Sequence, residues 1–168
     1  SNGEEICYTK RKKKALREEL QKKQELMIAK ISKKKLPLTP EEYGKYYKIC
    51  DALPFAFTDI EMVFDKEKKA VDLIFQYGNE ALATLEKLPL DKMIGNSFSS
   101  LFSNMDAKWL HVYERATLYG ETLEIMDYSP EIDTNLKIIC FPTFPGHCGC
   151  ILFNADKMRY IKDGNNLV

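Results

Sequence analysis

The run Tyr77-Gly78-Asn79-Glu80-Ala81-Leu82 ties the end of a strand to the start of a helix, and Met93-Ile94-Gly95-Asn96-Ser97-Phe98 with Leu101-Phe102 follows as further short helical turns. Upstream, Phe55 to Phe64 is rich in aromatic and β-branched residues, Asp65-Lys66-Glu67-Lys68 reads as a turn, and Ala70 to Tyr77 resumes the strand pattern. A hairpin therefore leads directly into a cluster of stubby helices. Asn79 caps the first of these through about Lys87, Pro89 to Ile94 forms a second, and Phe98 to Phe102 a third. Asp106 caps a longer helix that carries Trp109, Leu110, Tyr113 and Ala116 and stops at Gly120, where a residue tolerating positive φ is wanted.

After Gly120 come three strand-like runs, Glu121–Tyr128, Asn135–Thr143 and His147–Phe153, separated by Ser129-Pro130-Glu131 and Pro145-Gly146. Short turns between antiparallel strands make a meander. The resulting fold class is α+β: a five-stranded antiparallel sheet with short helices gathered on one side.

The N-terminal part has a different character. Residues 1–38 hold 12 Lys/Arg against 5 Asp/Glu, whereas 39–168 hold 13 against 20, so a net charge of zero conceals a basic extension and an acidic body. Residues 8–31 lack Gly and Pro and are dense in helix formers. Leu16, Leu20, Met27 and Ile31 form one narrow apolar stripe, which predicts a long helix that either leans on the body as a solvated element or pairs with a second copy to make a homodimer. Nucleic acid is disfavoured as a partner, since Tyr8 is the sole aromatic near the basic run. Lys33 to Leu38 breaks this helix, and Thr39-Pro40-Glu41-Glu42 restarts one with an N-cap threonine, a first-turn proline and first-turn acids. It should run to about Ala52, with Tyr43, Tyr46, Tyr47, Cys50 and Leu53 on its apolar side, and end at Pro54. The expected organisation is a basic helical extension over 1–38, a linking helix over 39–53, a folded domain over 54–156 and a tail over 157–168. Ser1-Asn2 resembles a protease scar and leaves room for an upstream segment.

No run approaches the roughly 18 apolar residues that span a bilayer, and the N-terminus has no signal-peptide core. Five cysteines, Cys7, Cys50, Cys140, Cys148 and Cys150, match no common disulfide spacing, so a cytoplasmic location is expected.

The element order and motifs resemble those of PAS domains over roughly residues 52–156. A strand ends in Tyr77; Asn79-Glu80-Ala81 stands where the family shows Asn-x-Ala, and Ile94-Gly95-Asn96-Ser97-Phe98 where it shows Ile-Gly-Lys-Ser-Phe. Ser129-Pro130-Glu131 looks like the tyrosine-serine-proline turn of PAS domains attached to diguanylate cyclases and histidine kinases in anaerobic bacteria. Asn154-Ala155-Asp156 replaces the usual Asp-Ile-Thr triplet that couples to a following helix. The resemblance implies a non-catalytic sensor of a bacterial signalling protein whose output domain, a diguanylate cyclase, lies outside residues 1–168.

It also implies a cavity between the sheet and the small helices. By alternation, Phe55, Phe57, Phe75, Tyr77, Met126, Tyr128, Ile139, Phe141, Ile151 and Phe153 are candidates for its sheet side, with Phe98, Leu101, Phe102, Leu110 and Tyr113 closing it from the helices. These side chains either line a small-molecule pocket or fill the core, and a one-residue slip in register would exchange the faces. Asn79 and Gly95 are structural: an N-cap and a backbone conformation other residues resist. The cofactor is not specified. The Asn-Cys-Arg-Phe-Leu-Gln-like string of flavin photoreceptors does not occur, and His111, on the helix that carries the axial histidine in haem-binding members, is expected to face water. His147-Cys148-Gly149-Cys150 and Cys140 tempt a metal or nucleophile assignment, but buried thiols acting as small hydrophobes are the simpler reading. The carboxylates Asp59, Glu61, Glu121 and Glu124 read as solvent-facing strand residues.

Overall fold

The computed structural model describes residues 11–15, 18, 19, 22 and 38–159. The chain divides into two units, Ser1–Pro37 and Leu38–Val168. In the first, the described residues are helical and exposed. The stripe Leu16, Leu20, Met27 and Ile31, and with it the expected dimer contact, lies outside the described residues, as does most of the expected tail.

The second unit opens with helix α1, Pro40–Tyr46, which carries a full capping box: Thr39 Oγ1 accepts from the Glu42 amide and the Glu42 carboxylate accepts from the Thr39 amide. The α-helix ends at Tyr46, and a 3₁₀ turn, Lys48–Ala52, carries the chain to the sheet, so the single helix expected to Ala52 is two pieces. Strands β1, Ala56–Phe64, and β2, Ala70–Gly78, form the predicted hairpin. Helices α2 (Glu80–Glu86), α3 (Leu90–Met93), α4 (Phe98–Leu101) and α5 (Ala107–Tyr119) follow, each close to its expected bounds. Asn79, Ser97 and Asp106 cap α2, α4 and α5 through their side chains, and Gly120 stops α5 at φ +65. Gly95, between α3 and α4, sits at φ +83, where a β-carbon would be strained.

Strands β3 (Leu123–Ser129), β4 (Thr134–Pro142) and β5 (His147–Asn154) make the meander. All pairings are antiparallel and the order is β2-β1-β5-β4-β3, so the last strand lies in the middle and the first sits between it and its hairpin partner. The fold class is the expected α+β architecture.

One inner face meets α2 to α5. Ile60, Met62, Leu73, Phe75, Ile138 and Leu152 from the sheet pack there against Leu82, Phe98, Trp109, Leu110 and Tyr113 in a single apolar core. The opposite face is not bare: Tyr43 and Tyr47 of the leading segment are buried, and Tyr47 stacks within about 5 Å of Phe57 and Tyr77. Gly149 makes room for this aromatic layer, since a β-carbon there would fall 2.8 Å from the Phe141 ring. The two faces exchange along β2 at an irregularity: Asp59 pairs with Tyr77 but Ile60 with Phe75, leaving Gln76 as an extra residue. This bulge points Phe75 inward and Tyr77 outward although they are two residues apart.

Candidate functional site

Between the inner face and the helices lies a cavity of about 30 Å³, room for roughly two waters or a ligand of a few non-hydrogen atoms. Its walls are largely apolar, with Ile60, Phe75, Phe98, Ile138 and Leu152 among them, and one end is polar, formed by Glu86, Trp109, Tyr113 and Ser129. Glu131, from the β3–β4 turn, organises that end: its carboxylate accepts from Ser129 Oγ at 2.6 Å, from the Asp106 amide at 2.6 Å and from the Trp109 indole at 3.4 Å. The turn at Ser129-Pro130-Glu131 therefore anchors the start of α5 to the sheet.

Glu86 reaches the cavity from the last turn of α2 and, among the described residues, no donor reaches its carboxylate. Burial, and then the Glu131 charge, push this carboxyl up to about 7. Between its ordinary value of 4.5 and about 7 the folded protein holds a proton that the unfolded chain has released, so stability falls as pH rises through that window. Glu86→Gln is accordingly expected to stabilise the empty domain by about 1–3 kcal/mol at pH 8 and to make no difference at pH 4, measured by urea unfolding at both pH values. Equal effects at the two values would contradict the placement of this carboxyl.

Of the expected pocket residues, Phe75, Phe98 and Tyr113 line the cavity, and Leu110 and Phe102 pack in the core beside it. The other strand candidates require correction. Phe57, Tyr77, Met126, Tyr128, Ile139, Phe141, Ile151 and Phe153 do share a face, as alternation required, but cross-strand pairing puts it on the side away from α2 to α5. The inward side chains of β1, β4 and β5 are their neighbours of opposite parity, Thr58, Ile138 and Leu152 among them. Met126 and Tyr128 are exposed, while Phe55 and Phe153 contact each other at 5.3 Å beside an open groove.

The outer face holds a polar centre that the sequence did not announce. Asp59, expected to face solvent, is fully buried. One carboxylate oxygen accepts from the Tyr47 hydroxyl and the Thr143 hydroxyl, each at 2.6 Å, and the other lies 2.8 Å from Nδ1 of His147. Burial first, and the Asp59 charge second, drive the Tyr47 and Tyr43 phenols well above their ordinary range, so both stay protonated and the Tyr47 hydroxyl remains a donor. Two further ties hold the same leading segment. Tyr77 donates to Asp51 at 2.5 Å, and the buried Asn79 donates to the carbonyls of Cys50 and Phe55 while accepting from the amides of Phe57 and Leu82, all at 3.0 Å. Asn79 is thus both the expected helix cap and a clamp joining the 3₁₀ turn, β1 and α2. The only sequence hint of Asp59 as a buried group is its parity with Phe57.

The cysteines behave as small hydrophobes. Cys140, Cys148 and Cys150 point inward, with the latter two sulfurs 4.0 Å apart, while His147 points to the opposite face. Burial pushes the Cys140 thiol up to about 12 and the Cys150 thiol well above its ordinary value, which leaves neither as a nucleophile. The His111 ring is 76% exposed beside Glu114.

The five-stranded antiparallel sheet with its clustered helices fits a PAS fold. Among solved structures, the chain is similar to a LOV protein of Rhodobacter sphaeroides, with 14% identity over 71% of this chain and 70% of that one and a TM-score of 0.46. It is also similar to an RNA-binding light-oxygen-voltage receptor, with 16% identity over 71% of this chain and 35% of the receptor and a TM-score of 0.43. Identity and superposition at this level bring no ligand, partner or output to this chain. No protein-family model and no curated protein matches it.

Proposed function

We propose that this chain is a PAS-type sensor or regulatory module that holds a small molecule between its inner sheet face and α2 to α5 and relays occupancy through the leading segment to an output domain outside residues 1–168. The observation that carries this reading is the cavity between sheet and helices, largely apolar with a few polar side chains in its wall, the general form of a ligand site. The relay is a population shift: a ligand favours one packing of the sheet, and the ties from Asp59, Tyr77 and Asn79 couple that packing to residues 47–52. A bacterial, cytoplasmic signalling protein with a diguanylate cyclase output is the fuller form of the reading, supported by the resemblance of the Ser129-Pro130-Glu131 turn. The chain itself is read as non-catalytic, burial holding the Cys140 and Cys150 thiols protonated.

Native mass spectrometry of the purified chain tests this, with a stoichiometric mass increment expected that disappears on denaturation. A consistently empty chain that also binds nothing on screening would reject it. The alternative is a ligand-free pairing module, favoured by the exposed Met126 and Tyr128 on the outer face and by the small size of the cavity. That reading predicts an empty dimer in the same spectrum.

A further inference from the structure

We propose that the open groove at the end of the sheet is a second binding site, taking a free aliphatic carboxylate whose tail lies between α2 and the end of β5 and whose head is held by Lys87 and Lys157. It does not depend on what the inner cavity holds.

α2 turns Ala81, Thr84 and Leu85, spaced by three residues and then one, toward the groove as one helix face. Opposite stand Phe55, just ahead of β1, and Leu152 and Phe153, near the end of β5. The Phe55 and Phe153 rings, 5.3 Å apart, and Met158, beyond the 3₁₀ turn Ala155–Lys157, extend this apolar lining. The groove holds about 530 Å³, the size of a site for a small organic molecule, whereas the inner cavity of about 30 Å³ takes only a few atoms. Charge then decides the class of guest. Residues 39–168 carry 20 Asp/Glu against 13 Lys/Arg, yet no acidic residue lines the groove and two lysines do. The Lys87 ammonium donates to the Ile132 carbonyl at 2.8 Å, a neutral acceptor that leaves its charge unanswered, and Lys157 has no carboxylate partner among the described residues. A cationic guest would meet two like charges, and a neutral one would leave both lysines unused. A very short anion would leave the apolar walls in water. One aliphatic tail with one carboxylate matches both parts of the lining. Residues 160–168, the next stretch of this chain, hold one Lys and one Asp, so their side chains bring no net charge to answer the lysines.

The test titrates the full chain with sodium decanoate below its micelle concentration, following the Met158 methyl resonance, with decanol, decylammonium, octanoate and acetate as comparators. Saturable binding is expected for decanoate, about three- to tenfold weaker binding for octanoate as two methylenes leave the groove, and none for acetate. Lys87→Gln and Lys157→Gln should each weaken decanoate about two- to fivefold, the range of an exposed ion pair, and leave decanol unchanged. Added sodium chloride should weaken decanoate more than decanol. Thr84→Trp sets a bulky ring into the groove from an exposed helix position and should abolish binding while the domain keeps its unfolding midpoint. Equal affinity for decanol, tighter binding of decylammonium, undiminished affinity in the double lysine variant, or no saturable shift each overturns the proposal. Binding that emerges only once residues 160–168 are deleted gives the groove to the chain's own segment and overturns it as well.

Discussion

Asp59→Ala is expected to be the most damaging single substitution in the folded domain, costing about 3–5 kcal/mol, because it deletes the shared acceptor of a fully buried network. The Tyr47 hydroxyl, the Thr143 hydroxyl and Nδ1 of His147 all lose their partner at once, and none can reach water without unpacking the aromatic layer above them. Asp59→Asn keeps the shape and one oxygen for the two hydroxyls, and should cost about half as much because only the histidine contact and the charge are lost. Urea unfolding with fixed slope measures both. An alanine variant within 1 kcal/mol of the parent would show that the network contributes no more than a surface contact.

The second large effect belongs to Asn79. Its alanine variant loses four hydrogen bonds, and although the Leu82 amide retains its bond to the Asn79 carbonyl, the Phe57 amide has no replacement. A helix cap contributes about 1 kcal/mol and an orphaned buried amide about 1–3 kcal/mol, so a loss of about 2–4 kcal/mol is expected. Because two of the four bonds reach residues 50 and 55, the leading segment should also open ahead of global unfolding. Hydrogen exchange at the Phe57 amide should accelerate in Asn79→Ala by more than the global loss predicts. Protection that falls only in step with global stability would deny Asn79 its clamping role.

The order of elements was legible because local signals agreed with one another. Asn79, Asp106 and Gly120 punctuate helices through side-chain and backbone chemistry that acts within a few residues, and the structure uses each of them as expected. The side of the sheet was not legible. Alternation groups Phe57, Phe141 and Ile151 together, but periodicity carries no information about which face the helices will cover. The buried role of Asp59 depends on three partners far apart in sequence, 12, 84 and 88 residues away, which no local pattern could supply. The polar end of the cavity was half visible. Tyr113 belonged to the expected set, whereas nothing in the sequence marks Glu86, whose carboxyl is raised first by burial in the fold and then by the Glu131 charge.

The extra residue Gln76 gives one short length of strand two unlike neighbours: Phe75 touches the guest chamber and Tyr77 grips the entering chain through Asp51. A regular strand would have aimed both rings at the same layer and left the sheet as an insulating wall. With the extra residue, one strand meets both layers; deleting Gln76 would make Phe75 and Tyr77 direct neighbours on a regular strand, still facing opposite sides, so both rings should keep their present contacts.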